Sequence, residues 1–113
     1  MAVGFEYATS PLTGLLIFHR SPDHDLRGGF DRLFDSGTVA AAGAQIEIQH
    51  VNLATNRMKG TIRGLHYQAS PYCETKVVTC LRGRAFDVVV DIRAGSPTFL
   101  ESHVELLSPW ASK

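Results

Sequence analysis

The residues of this chain best suited to chemistry lie close together: Arg63, His66 and Gln68 in the window Gly60-Thr61-Ile62-Arg63-Gly64-Leu65-His66-Tyr67-Gln68, with Glu74 and Lys76 just beyond it. An imidazole with an ordinary pKa of about 6.5 is largely neutral yet basic near pH 7, so histidine is the side-chain type suited to removing a proton from carbon. Guanidinium and ammonium groups are the types that hold a phosphate or a developing oxyanion in a pocket. Each type alone is more often structural. A single Arg or Lys is usually a solvated surface charge, and His19, His24 and His103 read as histidines satisfied by hydrogen bonds. Strand alternation puts His66 and Gln68 on one face and Arg63 on the other. Uniting Arg63 with His66 in one site therefore needs a bend, which Gly64 between them can host.

No metal and no cofactor are expected. Positions 66 and 68 have the spacing of two ligands on one strand face, but the second is Gln68. With Glu74 as the nearby acid, a three- or four-ligand set has too few members.

The elements that must position these residues have the composition of one soluble domain spanning residues 1–113. The chain has 113 residues, 44% of them apolar and 19% charged. A domain of this size removes roughly two-thirds of its unfolded surface from water. Eleven basic and eleven acidic side chains cancel, so no general field draws the chain to nucleic acid or to a membrane surface, and an anionic ligand must be held by a local cluster. Cys73 and Cys80 fit neither a CxxC redox pair nor zinc-ligand spacing and read as reduced thiols. The start, MAVGFEYATSPLTG, lacks a basic segment followed by a long apolar run. A cytoplasmic protein is expected.

Short β-branched and aromatic runs separated by single Gly and Pro residues predict an all-β domain. The expected strands are Leu15 to His19, an extended piece from Phe30 to Phe34, Gln45 to Leu53 with an irregularity near Gln49-His50, and Thr98 to Leu107. A hairpin is expected from Lys76–Leu81 and Arg84–Ile92 about Gly83. Residues 21–29 read as loop, and Ala40-Ala41-Ala42 as a brief helical turn. Alternation places Phe86, Val88, Val90 and Ile92 on a dry face and Asp87 and Asp91 on a partly polar one.

The segment Arg63-Gly64-Leu65-His66-Tyr67-Gln68 resembles the RGLHxQ signature of the dTDP-4-dehydrorhamnose 3,5-epimerase family. Further pieces follow in the family's order. Pro71 with Glu74-Thr75-Lys76-Val77-Val78 resembles a P…E-x-K-[LV]-V strand, and Gly83 to Arg93 resembles G-x-x-x-DV-x-VD-[LI]-R. Ser96-Pro97-Thr98-Phe99 matches an SPTF turn. Upstream, Asp25-Leu26-Arg27-Gly28-Gly29-Phe30 resembles a D-x-RG-x-F nucleotide-contacting segment, and Asn52 lies at the family's spacing before RGLH.

This resemblance implies a cupin double-stranded β-helix, or jelly roll, here without its last strands. It also implies a homodimer made by exchanging N-terminal strands, and dTDP-4-keto-6-deoxyhexose substrates. In such a sugar the C4 ketone acidifies the hydrogens on C3 and C5, because the resulting enolate spreads its charge onto oxygen. By family position His66 is the base and Lys76 its catalytic companion. Arg63, Gln68, Asn52 and Glu74 are substrate contacts, and Arg27 and Phe30 are nucleotide contacts that the partner subunit could supply.

The sequence also departs from the family. The tyrosine that returns the proton from the opposite face, and the aspartate that orients the histidine, lie in the family beyond the SPTF strand, and the sequence reaches Lys113 before either. Tyr7, Tyr67 and Tyr72 are present, but none occupies the acid position. His50 and Ala54 replace a common glutamine and hydroxyl residue. Three readings follow: part of an ordinary 3,5-epimerase or of a 3- or 5-selective relative; a short, catalytically impaired paralogue that binds a sugar nucleotide or a partner subunit; or an enzyme completed by a second chain.

Overall fold

The computed structural model describes residues 3–109. Strand β1 (Gly4–Ala8) pairs antiparallel with β2 (Ile17–Ser21), matching Phe5 to Arg20 and Tyr7 to Phe18. The aromatic residues that favour these strands also pack them together. Phe5 stacks on Phe18 with ring centroids 4.9 Å apart, and the Phe34 ring meets Phe5 edge-on at 6.4 Å. Between the strands, the loop buries Leu12 and turns at Gly14, whose φ is +81°.

Helix α1 (Ser36–Ala41) packs against β1. Asp35 starts it: its carboxylate accepts from the backbone N–H of Gly37 at 2.9 Å and of Thr38 at 3.3 Å, satisfying donors that the first turn leaves free. Val39 is the most buried side chain among the described residues, at 1% exposure. The helix ends where Gly43 takes a φ of +98°, so the helical turn expected at the Ala run is present and begins earlier, at its aspartate cap.

Residues 21–29, expected as loop, instead contain a tight hairpin of β3 (Asp23–Asp25) and β4 (Gly28–Phe30). The closure is electrostatic rather than hydrophobic, which is why no apolar pattern marks it. Asp25 Oδ1 accepts from the backbone N–H of Arg27 at 2.8 Å, and Gly28 adopts a φ of +132°.

Strand β5 (Ala85–Val90) pairs antiparallel with β6 (Ser102–Leu107), matching Phe86 to Leu106 and Val88 to Val104. The expected hairpin with Lys76–Leu81 is therefore corrected. The turn at Gly83 exists, with φ +77°, but it only reverses the chain and does not decide which edge is paired. The 76–81 stretch is tied instead toward β2, where the Arg20 guanidinium donates to the Cys80 carbonyl at 2.9 Å. Likewise, 45–53 and 60–68 contain no assigned strand. Among the described residues these segments have no ladder partners, and Val51, Leu53, Ile62 and Leu65 stand exposed.

The two faces of β5 also depart from expectation. Phe86, Val88 and Ile92 are exposed, as are Val104 and Leu106, while Asp91 is only 5% exposed. Val90, expected with the dry set, is half-buried, so alternation neither separates the two sets cleanly nor says which one the rest of the chain covers. Here the turn after β5 and the loop after β1 close over the Asp91 side. A bare apolar face of this kind is a docking or aggregation surface. Sedimentation is therefore expected to show association that grows with concentration, and a single concentration-independent monomer would contradict this reading of the face.

Among the described residues, no helix is long and apolar enough to cross a membrane.

Candidate functional site

The central segment is built around a tight reversal at 56–61. Thr61 Oγ1 donates to the Met58 carbonyl at 2.7 Å, and Gly60 takes a φ of +84°. The chain returning from this turn brings Arg63 beside the residues that entered it. Arg63 Nε donates to Asn56 Oδ1 at 2.9 Å and Nη2 to the Thr55 carbonyl at 3.3 Å.

Gly64 follows, with φ +98°, a left-handed conformation that glycine adopts most readily. The chain turns at this glycine, but 60–68 contain no strand for it to interrupt, and the turn does not hydrogen-bond Arg63 to His66. A Cβ at position 64 would lie 3.3 Å from the His66 backbone nitrogen and 3.4 Å from its Nδ1. Gly64→Ala is thus expected to strain the backbone by about 1–2 kcal/mol and to shift the imidazole. Thermal unfolding should show a lower midpoint; an unchanged midpoint would mean that the residue tolerates this conformation freely.

The other predicted site residues divide into small groups. The His66 side chain is exposed and, among the described residues, makes no hydrogen bond or ion pair. Lys76 Nζ lies 3.8 Å from Glu74 Oε1, with both side chains more than half exposed, a pair that contributes little to stability. Arg27 is gripped by Asp25, whose Oδ1 and Oδ2 accept from its Nε at 3.2 and 3.0 Å. The Arg27 side-chain hydrogen bond holds the Asp25 carboxyl below its usual range, and Asp25 in return raises the guanidinium's pKa. Asn52 and Gln68 are exposed, the Gln68 carbonyl accepting from Cys73 Sγ at 3.3 Å.

Phe30 lines a cavity of about 280 Å³ shared with Arg20, His24, Asp31, Leu33 and Leu81. Arg20 and Asp31 form an ion pair there at 2.7 Å. His66 lines neither this cavity nor the smaller one between β2, residues 78–80 and β6. The structure thus joins Glu74 to Lys76 and places Arg27 and Phe30 on one hairpin, without hydrogen-bonding His66 to Arg63 or Lys76. Sequence reasoning missed Asn56 and the Arg20–Asp31 pair. Asn56 had one available signal: a carboxamide at the entrance of a Gly-containing turn, opposite an arginine at its exit.

Residues 9–112 match the family model described as dTDP-4-dehydrorhamnose 3,5-epimerase. The chain belongs to that family. Among curated family relatives, the dTDP-4-dehydrorhamnose 3,5-epimerase of Mycolicibacterium smegmatis is 46% identical over 76 residues, 66% of this chain and 37% of the relative. The enzyme of the same name from Shigella flexneri is 43% identical over 86 residues, 75% of this chain and 47% of the relative. The crystal structure of dTDP-4-dehydrorhamnose 3,5-epimerase from Bacillus anthracis with TDP and PPi bound superposes with a TM-score of 0.86 at 28% identity, covering 94% of this chain and 61% of that one. The chain therefore spans between a third and a half of the length of these curated epimerases. Its fold is the family's all-β jelly roll. The superposition leaves 39% of the neighbour's chain without a counterpart here.

Proposed function

We propose that this chain is the histidine-bearing part of a dTDP-4-dehydro-6-deoxyhexose 3,5-epimerase, folded as a single domain over residues 1–113 and acting in the cytoplasm as a homodimer. The observation that carries this reading is the family match over residues 9–112, which includes the whole window from Arg63 to Lys76. The substrate is a thymidine-diphosphate 4-keto sugar. His66 removes the proton on C3 or C5, made acidic by the neighbouring ketone, and Lys76 and Arg63 meet the negative charge on the ketone oxygen and the diphosphate. Arg27 and Phe30, displayed on the β3–β4 hairpin with the Arg27 side chain 79% exposed, contact the nucleotide of a partner subunit. Asn52, Gln68 and Glu74 complete the substrate contacts, and no metal or cofactor takes part.

A second reading, a module that binds the sugar nucleotide without turning it over, is favoured by one observation. The base that would start the reaction has no orienting partner among the described residues.

Calorimetric titration with TDP tests what both readings share. A hydrogen bond to a charged group contributes about 1.5–3 kcal/mol, so Arg63→Ala is expected to weaken TDP binding roughly 10- to 100-fold. An absence of saturable binding by the unaltered chain would defeat both readings.

A further inference from the structure

Three cations belong to the candidate site, and two of them are matched by a carboxylate. Lys76 faces Glu74, and Arg27 is held by Asp25. Arg63 differs: both of its partners are neutral acceptors, the carboxamide oxygen of Asn56 and the main-chain carbonyl of Thr55. Neutral acceptors fix the direction of a guanidinium without cancelling its charge.

The atoms used also matter. Nε and Nη2 donate along one edge of the planar fork. This leaves the Nη1 hydrogens and the outer Nη2 hydrogen as a second edge, whose spacing suits two oxygens of a phosphate or diphosphate. The Thr61 to Met58 hydrogen bond stiffens the reversal that brings the donor and its acceptors together.

We propose that Asn56 is a positioning residue: it holds the Arg63 guanidinium by one edge so that the other edge receives the oxygens of a nucleoside diphosphate. This rests on the assignment of Arg63 as a contact of the sugar nucleotide. Asn56 touches the ligand only through Arg63, so its contribution exists only while Arg63 is present.

Calorimetric titration with TDP on the full chain, with circular dichroism and melting midpoints as folding controls, gives the test. Asn56→Ala loses one orienting hydrogen bond and is expected to weaken TDP binding about 3- to 10-fold. The same change in an Arg63→Ala background is expected to have no further effect, because the residue it orients is gone. Asn56→Asp keeps an acceptor oxygen but neutralises the arginine. It should fold at least as stably as the natural chain and still bind TDP more weakly, a split that a merely structural role would not produce.

Loss of TDP binding in Arg63→Ala together with unchanged binding in Asn56→Ala would overturn the positioning role and leave the nucleotide assignment standing. Equal losses from Asn56→Ala in both backgrounds, or full TDP affinity in Asn56→Asp, would also overturn it. Unchanged binding in Arg63→Ala would remove the nucleotide assignment itself, and the positioning role with it.

Discussion

Asp91→Ala is expected to lower the melting temperature more than any other single substitution on the β5–β6 unit. The Asp91 side chain is 2% exposed and gathers the turn after β5 around itself. It accepts from Arg93 Nε at 3.0 Å, from the Arg93 backbone N–H at 3.0 Å, from Ser96 Oγ at 2.5 Å and from Thr98 Oγ1 at 2.7 Å. Its backbone pairs with Glu101 and Leu100, and Arg93 reaches on to the Thr13 carbonyl, which joins the turn to the loop after β1. Truncation would leave two hydroxyls and a guanidinium without their shared acceptor, and unsatisfied groups of this kind cost more than the bond itself contributed.

A pH signature accompanies that loss. The Arg93 guanidinium first, then Ser96 and Thr98, hold the Asp91 carboxyl far below the usual carboxylate range. A carboxyl whose folded pKa is depressed contributes stability that is fully present above its unfolded value, about 3.9, and is lost as pH falls toward the folded value. Acid unfolding of the natural chain should therefore steepen below about pH 4, while Asp91→Asn, less stable at pH 7, should show a flatter acid limb. Parallel acid limbs for the two proteins would contradict the role given to this carboxylate.

His66→Asn is expected to have the largest effect on chemistry. Asparagine keeps a polar side chain of similar reach but has no basic nitrogen, so it cannot take a proton from C3 or C5. Removal of a positioned general base costs about 10²- to 10⁴-fold in rate. Any hydrogen exchange that the natural chain promotes in a dTDP-4-keto-6-deoxyhexose should thus fall to the buffer rate in the variant, with TDP affinity changed little. If exchange persisted in His66→Asn, another base, such as Lys76, would have to be assigned.

The local devices of the fold were legible where one residue type determines the conformation. Gly83 turns the chain with positive φ as its position indicated, and β2, β5 and β6 overlap the expected strands Leu15 to His19, Arg84 to Ile92 and Thr98 to Leu107. What alternation could not reveal was which face becomes covered: Phe86 and Val88 were assigned to a dry face and stand exposed. Nor could it reveal pairing, because the choice of β6 over residues 76–81 as the partner of β5 depends on contacts far apart in sequence. The β3–β4 hairpin was hidden for a different reason. Its closure rests on a side-chain clamp between Asp25 and Arg27, which leaves no hydrophobic period to read.

At the site, the identities of His66, Arg63 and Lys76 came from the motif order, whereas the strand parity applied to Gly64 has no strand to act on in 60–68. The partners of those residues did not. Asn56 and Arg63 meet across a turn seven residues apart, and neither residue type signals the pairing on its own. Asp91 was recognised only as part of a strand. Its role as the acceptor for Arg93, Ser96 and Thr98 depends on the turn folding back over it.

His66 is proposed to act in this chain as a base toward the carbons flanking the ketone of a thymidine-diphosphate sugar. Proton NMR in D2O tests it most directly, by following the H3 and H5 signals of dTDP-4-keto-6-deoxyglucose with the natural chain, with His66→Asn and with buffer alone. A signal is expected to fade faster with the natural chain than with either control. Signal loss no faster than in buffer, from a chain that binds TDP, would contradict the claim and leave the non-catalytic binding module as the reading that stands.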